Sequence, residues 1–204
     1  MEVECDKKKC DGDCPDSIGY LAEEVLSNGE LIVYPTETLY GLGGDAFDVF
    51  VLDEIRNVKE APADKKISTA YRSLEEASNY IDIPELAWEL GEYFLPGPLT
   101  IVVKEENKTH GIRIPDHPVS KMIIEKFGPI TATSANIHGM QDPVDMETAK
   151  TQLGSKVKLY INCGGCKYKE GTTVLLLHKD GDIEVLREGA ISIEVIGDKL
   201  GQKI

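Results

Sequence analysis

Apolar positions along the chain alternate between helical and strand-like spacing. Residues 16–29 (DSIGYLAEEVLSNG) put Ile18, Leu21, Ala22, Val25 and Leu26 on one helical face, with Asp16 or Ser17 as N-cap and Gly29 as the stop. Residues 30–34 (ELIVY) follow as a buried strand. Residues 48–59 repeat apolar side chains at Val49, Leu52, Ile55 and Val58, a helical period. Residues 66–71 read as a strand, and residues 73–81 open on a capping box, Ser73 and Glu76. Pro84 stands at a natural first-turn position of a helix over 84–94. A Pro-Gly-Pro corner then enters a strand at Leu99, and GIRIP (111–115) is a second short strand. Residues 118–128 form a helix ending at Gly128, and PITATSAN (129–136) runs as a strand into a polar loop. A short helix (145–154), three strands (157–162, 172–178, 182–188) and a closing helix (192–201) complete the chain.

Strands alternating with helices predict a single open α/β domain over residues 1–204, with a twisted, mostly parallel or mixed sheet and helices on its faces. No internal repeat or low-complexity linker marks a boundary. In such sheets ligands sit where loops leave the strand ends. PTETLYGLGG, PGPLT, RIPDHP and TSANIHG all adjoin strands and are rich in hydroxyls, amides, Gly or Pro, so they are candidates to line one pocket.

Composition narrows the function. With 36 acidic and 22 basic residues the net charge is −14, which disfavours general polyanion binding unless cations gather on one face. The sequence has no run of 18 apolar residues and begins with a charged stretch, so the expected location is the cytoplasm rather than a membrane. The five Cys (5, 10, 14, 163, 166) read as reduced thiols or metal ligands rather than disulfides. CGGC has zinc-like spacing, but a second such pair is missing, and incidental thiols are the better reading. HExxH, GxSxG, GxGxxG and P-loop patterns are absent, which argues against a zinc hydrolase, an acyl-enzyme and the common nucleotide folds.

The chemistry that remains is cations, hydroxyls and backbone groups. Three Gly between 41 and 44 permit close backbone approach, either to a ligand or to the protein itself. Lys59, Lys65 and Lys66 lie in a Pro-containing turn suited to phosphate or to solvent. Arg113 is one of four arginines and sits within GIRIP between two isoleucines. If buried there it needs an anion, either a ligand carboxylate or phosphate, or one of the acids of the chain. Ser134 and Asn136 suit phosphate or sugar oxygens, or a cap. Such a set fits phosphoryl or nucleotidyl transfer, where positioning and charge stabilisation dominate.

YPTETLYGLGGDA, PGPLTIVV, GIRIPDHP, TATSANIHG, GTTVLLL and VLREGAI occur in the order typical of the YrdC family, which the chain resembles from about residue 24 to 191. Residues 1–15 are a Cys-rich, charged N-terminal extension outside it. The resemblance implies threonylcarbamoyladenylate synthase, an ATP-dependent nucleotidyltransferase. It joins L-threonine, bicarbonate (as CO2) and ATP, with Mg2+, into threonylcarbamoyl-AMP and pyrophosphate for threonylcarbamoyladenosine modification of tRNA. It also implies roles. Thr36, Tyr40, Arg113 and Thr172 hold threonine, with Arg113 on its carboxylate. Lys59, Lys65, Ser134, Asn136 and Arg187 serve the nucleotide, and Lys59 and Arg113 are the catalytic pair. The family's Lys-x-Arg motif reads Lys59-Glu60-Ala61 here, so a planar cation is missing. That departure keeps a second reading open, a YciO-like protein that binds double-stranded RNA or tRNA through the same cleft.

Overall fold

The computed structural model describes residues 1–4, 15–105, 108–179 and 181–204. Cys5, Cys10 and Cys14, and with them the zinc reading of the N-terminal segment, lie outside the described residues. Among the described residues no helix is long and apolar enough to cross a membrane.

The described strands form one sheet. They are β1 (Glu2–Glu4), β2 (Ile32–Tyr34), β3 (Gly41–Gly43), β4 (Ser68–Ala70), β5 (Leu99–Glu105), β6 (Lys108–Arg113), β7 (Ile130–Ser134), β8 (Leu159–Asn162), β9 (Thr173–Leu177) and β10 (Ile183–Arg187). Their order is β1-β8-β2-β3-β7-β4-β6-β5-β9-β10. The sheet is mixed: β1–β8, β2–β8, β4–β6 and β5–β9 are parallel, and the other neighbours are antiparallel. Two of these strands were not anticipated. β1 is a short edge strand with two exposed glutamates, so it carries no apolar alternation, and it brings the first residues of the N-terminal extension into the sheet.

The second unanticipated strand, β3, is the glycine stretch itself. Tyr34 opposes Gly41 across the β2–β3 pair, and a Cβ at Gly41 would come within 2.6 Å of the Tyr34 ring. The ring also covers Gly43, and the Tyr34 hydroxyl donates to the Thr131 carbonyl at 3.0 Å. The glycines therefore serve close packing inside the protein, and low strand propensity hides the strand they form. Gly44 sits against Val51, Leu31 and Ile55. Gly44→Ala is expected to destabilise the fold by about 1–3 kcal/mol through overpacking, read as an earlier urea midpoint with an unchanged slope.

The helices are α1 (Asp16–Ser27), α2 (Val49–Val58), α3 (Leu74–Ala77), α4 (Glu85–Phe94), α5 (Pro118–Phe127), α6 (Met146–Leu153) and α7 (Ile193–Leu200). The apolar face of α1 follows the predicted spacing; in α2 the buried residues are Val51, Ile55 and Val58, while Val49, read as part of that face, is exposed. The caps differ in detail: Pro15 and Pro84 take the N-cap positions of α1 and α4, so helix begins one residue later than Pro84 implied. Ser73 caps α3 by accepting from Glu76 N–H at 3.2 Å, while the Glu76 carboxylate reaches back one residue further, to Arg72 N–H.

Three clusters make the core. α1 and α5 pack with Ile32, Tyr34, Ala70, Ile130, Leu159 and Ile161 on one sheet face. On the opposite face, α2 and α6 pack with Val33, Leu42 and Tyr160, and α3, α4 and α7 pack with Leu99, Ile101, Ile112 and Leu175.

Candidate active site

Register shows where the sheet is left open. Arg113 lies directly opposite Ala70 on one side and Thr100 on the other, and Thr100 opposes Val174. Residues paired this way share a face, so Arg113, Thr100 and Val174 continue the face that α1 and α5 cover further along. Over β4, β6, β5 and β9 that cover stops. Val102, Val174 and Leu176 are half-buried and join none of the core clusters among the described residues. By alternation, Ser68, Gly111, Ser134 and Thr172 belong to the same face. Polar and small side chains thus gather on this uncovered stretch of the sheet.

The PTET loop leaves β2 and folds onto this face. Its shape is set by Thr36, whose hydroxyl donates to Leu39 O at 2.6 Å and accepts from the N–H groups of Thr38 (3.1 Å) and Leu39 (3.3 Å). The Thr38 hydroxyl lies 3.0 Å from it. Thr36 is thus a turn-forming hydroxyl, with little capacity left for a ligand. Tyr40 is fully buried; its hydroxyl donates to Gly164 O at 2.7 Å and accepts from Cys163 N–H at 3.0 Å. Tyr40 ties the loop to the CGGC segment, whose Cys163 and Cys166 pack into opposite core clusters.

Arg113 is 4% exposed, and its anion is internal. One guanidinium nitrogen donates to the carbonyls of Gly97 and Leu99. The other donates to the Glu37 carboxylate and reaches the Thr38 hydroxyl at 3.5 Å. Glu37, equally buried, also accepts from Asp116 N–H at 3.1 Å. Burial pushes the Arg113 pKa down and Glu37 pulls it back; an arginine starts so high that it stays a cation. Sequence reasoning missed Glu37. Its one signal was an acid between two threonines at a strand end. Beside this pair, the Thr100 and Thr172 hydroxyls meet at 2.8 Å, and Arg187 donates to Thr172 O (2.8 and 3.0 Å) and Oγ1 (3.1 Å). Thr100, also missed, connects Arg113 to Thr172 and Arg187.

A second polar centre lies at the end of β7. Lys59 caps the C-terminus of α2 and is buried. Its ammonium donates to the carbonyls of Ser134 and Asn136 (2.8 Å for the latter) and lies 3.4 Å from Asn136 Oδ1. Ser134 Oγ donates to Asn136 Oδ1 at 2.5 Å, and Asn136 Nδ2 to Met140 O at 3.0 Å. Burial, and then the charge of Lys65, lower the Lys59 pKa to about 8. Lys65 and Lys66 are exposed, and Lys65 holds a turn in which its carbonyl accepts from Arg56 Nε at 3.2 Å. Ala61 follows Glu60, whose left-handed backbone ends the helix.

Two buried cations, Arg113 and Lys59, each held by a loop of an open α/β sheet, make these loops the candidate site. A family model described as "Telomere recombination" (Sua5, YciO and YrdC) matches residues 24–189, and the chain belongs to this family. It is 33% identical over 183 residues to a Methanocaldococcus jannaschii protein provisionally named a threonylcarbamoyl-AMP synthase, with 86% of each covered. Pyrococcus abyssi Sua5, solved with L-threonine, superposes with a TM-score of 0.88 at 28% identity. That match takes in all of this chain and 61% of the other, so the chain spans about three fifths of that protein. Escherichia coli YciO matches with a TM-score of 0.81 at 27% identity, covering 95% of this chain and 97% of that one.

Proposed function

We propose that the chain is an ATP-dependent nucleotidyltransferase that makes threonylcarbamoyl-AMP. The observation that carries this is two buried cations, Arg113 held to Glu37 of the PTET loop and Lys59 held to the carbonyls of Ser134 and Asn136 after β7. One side offers hydroxyls and a shaped backbone for an amino acid; the other offers amides and positive charge for a nucleotide. The name of the Methanocaldococcus relative and the threonine in the Pyrococcus structure support it.

In the reaction, the threonine amine bonds to the carbon of CO2 and loses a proton. A carbamate oxygen then attacks the α-phosphorus, and the bond to the β-phosphate oxygen breaks as pyrophosphate leaves. Thr38, Thr172 and the Thr36–Tyr40 loop shape the threonine side. Lys59, Ser134 and Asn136 line the nucleotide side, with Lys65 at its rim to steady phosphate charge, while Arg187 supports Thr172 on the threonine side. Arg113 acts by holding Glu37 and the loop in place. Among the described residues no group of three or more His, Cys, Asp or Glu is placed to hold a metal. Mg2+ therefore fits best as an ion carried on the ATP phosphates. The same reading has the protein working in the cytoplasm, with its product passing to tRNA.

The test is incubation with Mg2+, ATP, bicarbonate and L-threonine, following pyrophosphate and the adenylate. Pyrophosphate release is expected only when all three substrates are present. Ala61→Arg, which restores a planar cation in the turn after α2, is expected to raise the rate, up to about 10²-fold if phosphate charge limits it. No release, with duplex RNA bound at low salt, would instead favour the RNA-binding reading.

A further inference from the structure

Away from this site, four of the large exposed apolar side chains gather in one place. Phe47, Val49 and Phe50 at the start of α2 are 51%, 63% and 81% exposed, and Tyr80 after α3 is 52% exposed. Phe47 stacks on Tyr80 with ring centroids 4.7 Å apart, which joins the two segments into one surface. Tyr80 also lines an open groove of about 450 Å3 with Ser78, Ile81, Asp82, Ile83 and Trp88. The aromatic patch and the groove are therefore continuous. Single exposed apolar side chains are ordinary, but a contiguous group beside a groove marks a contact surface.

The charges on this surface choose the partner. Asp45 and Asp48 bracket Phe47, each accepting a backbone N–H at 2.8 Å. Asp82 stands in the groove, and its N–H donates to the Glu105 carboxylate at 2.8 Å. Arg72, the nearby cation, lies 3.9 Å from Glu76. Asp45, Asp48 and Asp82 take part in no ion pair among the described residues. A second copy would bring the same carboxylates, and a nucleic acid would bring phosphates; both are repelled.

We infer that this surface docks a basic polypeptide segment. A lysine or arginine enters the groove between Tyr80, Trp88 and Asp82, and an apolar side chain rests on Phe47 and Phe50. A cation there meets a carboxylate and two ring faces together, a combination stronger than either contact alone. The groove reaches the site through one element. Tyr71, whose ring lies 6.0 Å from that of Tyr80, donates its N–H to Arg113 O at 2.9 Å. A docked partner thus sits one strand end from the threonine side.

The test uses the full chain and a short fluorescein-labelled peptide of alternating arginine and leucine, with a glutamate–leucine peptide as control, read by anisotropy. The arginine peptide is expected to bind, more weakly at high salt, and the control not to bind. Phe50→Ser and Asp82→Lys, both at exposed positions outside the catalytic machinery, are each expected to weaken binding about tenfold and to leave pyrophosphate release unchanged. Equal binding of the two peptides, or wild-type affinity in both variants, would overturn the inference. So would a concentration-dependent dimer that Phe50→Ser dissolves, since a second copy would then own the surface.

Discussion

Arg113→Ala is expected to destabilise the protein by about 3–5 kcal/mol, because it leaves Glu37 as a buried charge without its cation. The Gly97 and Leu99 carbonyls lose their donor as well. For a chain of this size such a loss lowers the thermal midpoint by roughly 10 °C. Removing both charges, in Arg113→Met with Glu37→Leu, is expected to recover much of the loss, since no unpaired ion remains. A single alanine variant that melts within a degree or two of wild type would refute the role of the pair. The same pair changes how kinetics should be read. Lost activity in Arg113→Ala does not by itself place a substrate carboxylate on the guanidinium, because the PTET loop loses its anchor too. A loop-positioning role predicts that Glu37→Gln also impairs threonine use. A direct grip on substrate predicts that Glu37→Gln leaves the guanidinium freer and threonine binding at least as tight.

Lys59 gives the second large effect, and it has two opposite signs. Its pKa of about 8 in the folded protein lies below the 10.5 of a free lysine. Between those values the unfolded chain holds a proton that the folded chain has released, so stability rises with pH through this window. Below pH 8 both states are protonated and the cost of burying the ammonium is present in full. The whole rise amounts to ~3 kcal/mol. Nucleotide binding runs the other way: as pH passes about 8 the ammonium is lost, and ATP affinity is expected to fall. Lys59→Met is expected to remove both slopes. The comparison with that variant is needed because burial pushes the Cys166 thiol up to about 12. Cys166 thereby loses stability above pH 9, against the lysine. Urea titrations of both proteins from pH 7 to 10, with ATP titrations alongside, measure the difference. Parallel stability curves for the two proteins would exclude the buried-ammonium account.

Much of this molecule was legible in its sequence. The helices, the strand-like runs and the alternation that implies an open α/β sheet appear as read, because they depend on residues within a turn or two of each other, although α2 buries Val51 where Val49 was expected. Three of the loops proposed to meet do so around Arg113: PTET through Glu37, PGPLT through the Gly97 and Leu99 carbonyls, and RIPDHP through Asp116 N–H; the TSAN loop meets Lys59 instead. Three features were not legible. β3 was hidden because its glycines pack under Tyr34, a contact that exists only once β2 and β3 pair. Thr36 and Tyr40 have the residue types of substrate-binding groups, yet their hydroxyls are largely used by Leu39, Cys163 and Gly164.

The third feature is the charge pairing. By itself the sequence determined that a buried Arg113 must have an anion and that Lys59 stands at the end of a helix beside a basic turn. Only the tertiary structure decided that the anion is Glu37, 76 residues away, out of 36 acids, and that Lys59 turns inward to the SAN carbonyls. Local patterns set which elements form; sheet register and loop packing, acting between distant residues, set which charges meet and how far water is kept from them.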